Sequence, residues 1–139
     1  MTWGWCALEA CGQTQTAIGT LGAAHGAVGL TVRGDGSKTG YTCNCGGDIV
    51  DEMVIEEWSN GTWVGLVATS GDGVYSGTYK IVASGSDLTG YLWDGGEWVE
   101  KCSGSDSTLT GIRTGINSRQ YNGTYATPNT VDAFSVETA

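Results

Sequence analysis

A repeated hairpin unit constrains this chain more than any other feature: Trp58-Ser59-Asn60-Gly61-Thr62-Trp63-Val64 is echoed by Trp93-Asp94-Gly95-Gly96-Glu97-Trp98-Val99. Asn-Gly and Asp-Gly are favoured in two-residue hairpin turns because both central positions need positive φ. Each turn is therefore expected to set its flanking tryptophans across neighbouring antiparallel strands. There they clamp the hairpin by about 0.5 to 1.5 kcal/mol beyond simple area burial. A second pair of segments, Tyr75-Ser76-Gly77-Thr78-Tyr79 and Tyr121-Asn122-Gly123-Thr124-Tyr125, follows the Trp units in the same order, which suggests a degenerate internal duplication. Between the turns, Met53-Val54-Ile55, Val64-Gly65-Leu66-Val67, Tyr79-Lys80-Ile81-Val82 and Tyr91-Leu92-Trp93 carry the β-branched and aromatic residues of strands. The expected fold is all-β: one antiparallel meander, sandwich or small barrel built from short hairpins.

Residues 1 to 45 read differently from residues 46 to 139. The stretch 17 to 30 consists almost wholly of small residues, and glycine at that density is costly in a helix. It reads as an extended Gly/Ala-rich N-terminal arm, or a thin strand pair, packing closely against another backbone, ahead of a β domain spanning 46 to 139. Gly34-Asp35-Gly36-Ser37 is a turn. Residues 131 to 139 read as a terminal strand or second arm. Arms of this kind add strands to a neighbour's sheet edge, so removal of the residues before Thr31 is expected to leave the β domain folded while abolishing assembly.

The formal charge of −9, with only six Lys and Arg, repels phosphate backbones and anionic lipid, so nucleic acid and membrane are poor partners. The start Met1-Thr2-Trp3-Gly4-Trp5-Cys6 lacks the basic and apolar segments of a secretory signal. Catalysis has little to work with. His25 is the sole histidine and lies in the Gly/Ala stretch with no nucleophile motif beside it. Asp48, Asp51, Glu52, Glu56 and Glu57 could in principle supply a glycosidase pair, but on an alternating strand they read as a solvated face. No enzyme activity is expected.

Other motifs have turn explanations. No cofactor is expected; Asp72, Asp87, Asp94 and Asp106 place hard oxygen ligands on turns, which would suit structural calcium, although Asp-Gly is also an ordinary turn dipeptide. Arg33-Gly34-Asp35 matches an integrin-binding tripeptide and coincides with a turn. Asn60-Gly61-Thr62 and Asn122-Gly123-Thr124 fit the N-glycosylation pattern. Five cysteines, Cys6, Cys11, Cys43, Cys45 and Cys102, form an odd set. One or two disulfides are expected outside a reducing cell, with Cys6 and Cys11 the first pair to consider. Cys6, Cys11, Cys43 and Cys45 could alternatively bind zinc, though without the usual knuckle spacing. Buried thiols are the plain alternative.

Six Trp and six Tyr against one Phe make the aromatic content amphipathic. Trp58, Trp63, Trp93, Trp98, Tyr75, Tyr79, Tyr121 and Tyr125 are the candidate platform for a sugar face or a partner subunit. In its Trp-x-x-Gly-x-Trp and Tyr-x-Gly-Thr-Tyr units, the stretch from 48 to 128 resembles the Gly/Trp-rich β modules of tailed-phage virion proteins and bacterial surface proteins. The resemblance implies a virion structural role: a capsid decoration (cement) or fibre protein, homo-oligomeric, binding neighbouring capsid or fibre subunits. The alternatives are a carbohydrate-binding β-sandwich with a glycan partner, extracellular or on a cell surface, and an enzyme of unknown type.

Overall fold

The computed structural model describes residues 2–6, 14–21, 27–45, 52–71, 77–119 and 131–138. All the secondary structure among them is strand: β1 (Thr2–Cys6), β2 (Thr14–Leu21), β3 (Ala27–Gly34), β4 (Gly40–Cys45), β5 (Met53–Ser59), β6 (Thr62–Thr69), β7 (Thr78–Ser84), β8 (Asp87–Trp93), β9 (Trp98–Ser105), β10 (Arg113–Arg119) and β11 (Val131–Thr138). They pair antiparallel into a six-stranded sheet, β1-β10-β3-β4-β5-β6, and a five-stranded sheet, β11-β2-β7-β8-β9. The core lies between the two. Alternate residues of each strand face inward, so Leu30, Val32, Tyr41, Cys43, Met53 and Ile55 from one sheet meet Ala17, Tyr79, Ile81, Ala83, Leu88 and Cys102 from the other. This is the expected all-β fold in its sandwich form.

The expected N-terminal arm is corrected over its described residues. β2 sits between β11 and β7, and β3 between β10 and β4, so the region 1 to 45 contributes to both sheets. No domain boundary falls at 45/46 either, because Cys45 pairs with Met53 inside one sheet. Small residues serve packing here. An added Cβ on Gly19 would lie 2.8 Å from Leu30 Cδ2, so the glycine admits the leucine between the sheets. The segment 131–138 is the expected terminal strand, paired along β2.

Both Trp units are hairpins, with Trp58 opposite Trp63 and Trp93 opposite Trp98. In the first, Asn60 (φ 52°) and Gly61 (φ 79°) both take positive φ, as the two-residue turn requires. The second differs. Its loop contains four residues, and the Asp94 carboxylate accepts from the backbone N–H of Gly96 and Glu97, which stabilises a wider turn. These turn bonds, that from Glu97 first, hold the Asp94 carboxyl below its usual range. Replacing Gly61 with Val should cost roughly 1 to 3 kcal/mol, because a β-branched residue resists positive φ. A urea midpoint equal to that of the unmodified chain would show that the turn does not need glycine.

Cys43, Cys45 and Cys102 are buried free thiols, so the expected bridging does not involve them. Cys43 and Cys45 alternate on one strand and enter the core side by side. Burial pushes the Cys45 thiol up to about 12 and the Cys102 thiol to about 11. That suppresses the thiolate needed for zinc or for disulfide exchange. The side chains of Cys6 and Cys11, the first pair expected, lie outside the described residues.

Candidate binding face

The outer face of the six-stranded sheet carries an unusual run of recessed polar residues. On β4, Tyr41, Cys43 and Cys45 point to the core, so Thr42 and Asn44 point away from it. Cross-strand register places Asn44 beside Gly29 and Val54, Thr42 beside Thr31 and Glu56, and Asn117 beside Gly29 on the other side. Trp58 follows Glu56 on the same face and pairs with Trp63. Trp3 and Trp5 occupy the register positions opposite Asn117 and Gly115. Although they face away from the core, Asn44 is only 2% exposed, Asn117 4% and Glu56 8%.

Hydrogen bonds tie these groups into two adjacent sets. Asn44 Nδ2 donates to Glu56 Oε2 at 2.8 Å, and the Trp58 indole N–H reaches the same oxygen at 3.4 Å. Asn117 Nδ2 donates to Thr31 Oγ1 at 3.0 Å. Asn44 Oδ1 is buried and has no partner. Flipping the amide would turn this oxygen toward the Glu56 carboxylate, acceptor against acceptor, so Glu56 fixes the orientation. Gly29 leaves the space that this row needs. An added Cβ there would lie 2.5 Å from Asn44 Oδ1 and 2.6 Å from Asn117 Nδ2, so the two amides converge above it. The site combines a fixed, unpaired acceptor and a carboxylate with a half-exposed apolar rim, Trp63 and Leu66.

The other Trp pair lies on the opposite outer face. Trp93 and Trp98 meet edge to face with ring centroids 5.2 Å apart, and Lys80 Nζ lies 4.4 Å from the Trp98 ring and 4.9 Å from the Tyr91 ring. The four tryptophans therefore cannot form one platform. Tyr79 is not surface at all: it is buried between the sheets, its hydroxyl donating to the carbonyl of Val28 at 2.9 Å. Tyr75, Tyr121, Tyr125, Asp72, His25, Asp48 and Asp51 lie outside the described residues. Sequence reasoning missed Asn44, Asn117, Thr31 and Thr42. The available signal was the alternation within Cys43-Asn44-Cys45, which sends the amide away from the two thiols.

The described calcium candidates are each engaged by donors of the protein itself. Asp87 accepts from Ser105 Oγ, Asp94 closes its loop, and Asp106 accepts from the Tyr41 hydroxyl at 2.6 Å and from Thr108 N–H at 2.8 Å. Among the described residues no three His, Cys, Asp or Glu side chains gather in a metal-binding arrangement. The acidic cluster also separates. Glu56 and Glu57 are consecutive on a strand and point to opposite faces. Burial, with the charge of Asp106 adding to it, pushes the Glu57 carboxyl up. Glu52 is tied to Thr69 Oγ1 and Gly71 N–H. Within Arg33-Gly34-Asp35, Asp35 is engaged by Ser37 N–H and Oγ, which is turn chemistry.

No protein family and no curated protein matches the chain. Among solved structures, the GH43 protein BlXynB of Bacillus licheniformis superposes with a TM-score of 0.58 at 15% identity, over 92% of this chain and 28% of that one. A mutant form of it gives a TM-score of 0.56 at 13% identity over the same shares. Chicken galectin 2 gives a TM-score of 0.51 at 16% identity, over 89% of this chain and 88% of that one. The chain thus spans under a third of the BlXynB protein, and at these identities the likeness is one of fold.

Proposed function

We propose that this chain is a non-catalytic carbohydrate-binding module whose site is the Asn44–Glu56–Trp58 row with Asn117 and Thr31. The observation that carries this reading is Asn44 Oδ1, a buried acceptor held without a partner. Leaving such an atom unsatisfied costs about 1 to 3 kcal/mol, which a ligand hydroxyl would offset. A sugar ring offers an apolar C–H face for the half-exposed Trp63 and, once the groups covering the recessed Asn44 and Glu56 are displaced, hydroxyl donors for both. The β-sandwich likeness to a galectin, a lectin by name, supports the reading at the level of fold.

Titration calorimetry against a panel of neutral oligosaccharides tests it. The unmodified chain should bind at least one of them. Asn44→Ala should weaken that binding at least tenfold, about 1.4 kcal/mol, while the chain still unfolds cooperatively. Equal affinity in the variant, or no binding across the panel, would defeat the proposal.

A second reading, assembly into a virion or other lattice, is favoured by a different observation. Edge strand β6 exposes Trp63, Val64 and Leu66, each over half accessible, and edges of that kind recruit neighbouring strands. Native mass spectrometry of the isolated chain checks it, since a strict monomer at high concentration speaks against self-assembly through that edge.

A further inference from the structure

At one end of the sandwich, the last residues of β3, the β7–β8 turn and the β9–β10 loop surround a cavity of about 430 Å³ lined by Arg33, Gly85, Ser86, Ser107, Leu109 and Thr110. This volume lies within the range of roughly 300 to 1,000 Å³ seen for small-molecule sites. Its walls are braced from the core. Gln15, fully buried, donates through Nε2 to the Gly111 carbonyl at 2.9 Å and accepts the Arg33 N–H on Oε1 at 2.8 Å. The Tyr41 hydroxyl accepts the Leu109 N–H at 3.0 Å while donating to Asp106, and the Asp106 N–H holds the Ser86 carbonyl at 2.9 Å. Loops so tied are pre-organised, which limits the ordering entropy a ligand must overcome.

Arg33 stands out within this frame. It adopts φ of 55°, a left-handed conformation unusual for a non-glycine residue, and such outliers cluster at functional sites. Its Nη2 donates to the Gly85 carbonyl at 3.2 Å, which keeps the guanidinium at the cavity wall. It is the only charged residue among the six that line the cavity, in a chain whose net charge is −9. Three hydroxyls, from Ser86, Ser107 and Thr110, and the apolar Leu109 complete the lining.

We propose that this cavity binds a sugar acid of monosaccharide size, its carboxylate on the Arg33 guanidinium and its ring hydroxyls on Ser86, Ser107 and Thr110. Arg pairs with planar carboxylates through its fork of N–H donors. The overall negative field opposes anions in general, so retention at this end depends on the local Arg33 contact. The site is independent of the Asn44 row, which lies on the outer face of a sheet.

The test is a two-dimensional amide NMR titration of the full chain with D-glucuronate and, at matched ionic strength, with D-glucose. Glucuronate should produce saturating shifts at Arg33, Gly85, Ser86, Ser107, Leu109 and Thr110, and glucose should not. Arg33→Gly removes the guanidinium while suiting the positive φ, so the fold should persist and glucuronate affinity should fall at least tenfold. Arg33→Lys, which keeps charge without the fork, should fall between. Asn44→Ala should leave this titration unchanged. Equal shifts with glucose, an Arg33→Gly chain that titrates like the parent, or no saturating shifts in a folded parent would each overturn the proposal.

Discussion

Deleting residues 1 to 30 is expected to abolish folding. The truncation removes β1, all of β2 and the first half of β3, and both β2 and β3 are interior strands. Without β2 the terminal strand β11 loses its partner, and β7 becomes an unpaired edge of the five-stranded sheet. Loss of half of β3 also weakens the link between β10 and β4. Ala17, Val28 and Leu30 leave the core together with the buried Gln15 strut. Truncating one buried leucine to alanine alone costs about 2 to 5 kcal/mol, against a total stability of roughly 5 to 15 kcal/mol for a domain. The truncated chain should give a collapsed amide spectrum and no cooperative urea transition. A cooperative transition in it would mean that the N-terminal strands are accessories after all.

Local chemistry was legible in the sequence; long-range pairing was not. Asn60-Gly61 announces its turn because positive φ at two successive positions is a demand on those two residues alone. Strands β5 to β8 fall where β-branched and aromatic runs lie, since their signal is also local. The Gly/Ala stretch reads as extended chain packed closely on another backbone, but its place inside both sheets is not legible, because the groups its glycines admit are distant in sequence: Gly19 makes room for Leu30, and Gly29 for two asparagine amides. Neither neighbour is within ten residues of its glycine. Asp94-Gly95 carried the same turn signature as Asn60-Gly61 yet forms a wider loop, because the aspartate side chain captures two backbone N–H groups. The Trp pairs were correctly placed across their hairpins, but which face of the molecule each occupies depends on which sheet its hairpin joins. The Asn44 row was hidden for the same reason: its members come from β3, β4, β5 and β10, and only assembly of the sheet brings them together.

Among the described glycines, Gly111→Ala should be the most damaging added methyl group. An added Cβ would fall on the carbonyl oxygen of Gly34 and 2.5 Å from that of Arg33. Both are backbone atoms of a strand paired on two sides, and Gly34 is itself in register with Arg113, so neither can swing away as a side-chain tip would. The β9–β10 loop must therefore lift. Overpacking of this kind costs about 1 to 3 kcal/mol. Lifting the loop also breaks the bond from Gln15 to the Gly111 carbonyl, leaving a fully buried amide group unsatisfied at a further 1 to 3 kcal/mol or so. The combined loss, roughly 2 to 6 kcal/mol, is comparable with the whole stability of a small domain. The same displacement opens the cavity beside Arg33, so the variant should lose glucuronate binding even where it remains folded. Gly65→Ala is the control: a Cβ there meets nothing within 4 Å, and its urea midpoint should stay within about 0.5 kcal/mol of the parent. If Gly111→Ala also unfolds within that margin, the loop does not rest on the β3 backbone, and Gln15 is not the strut that holds this end of the sandwich.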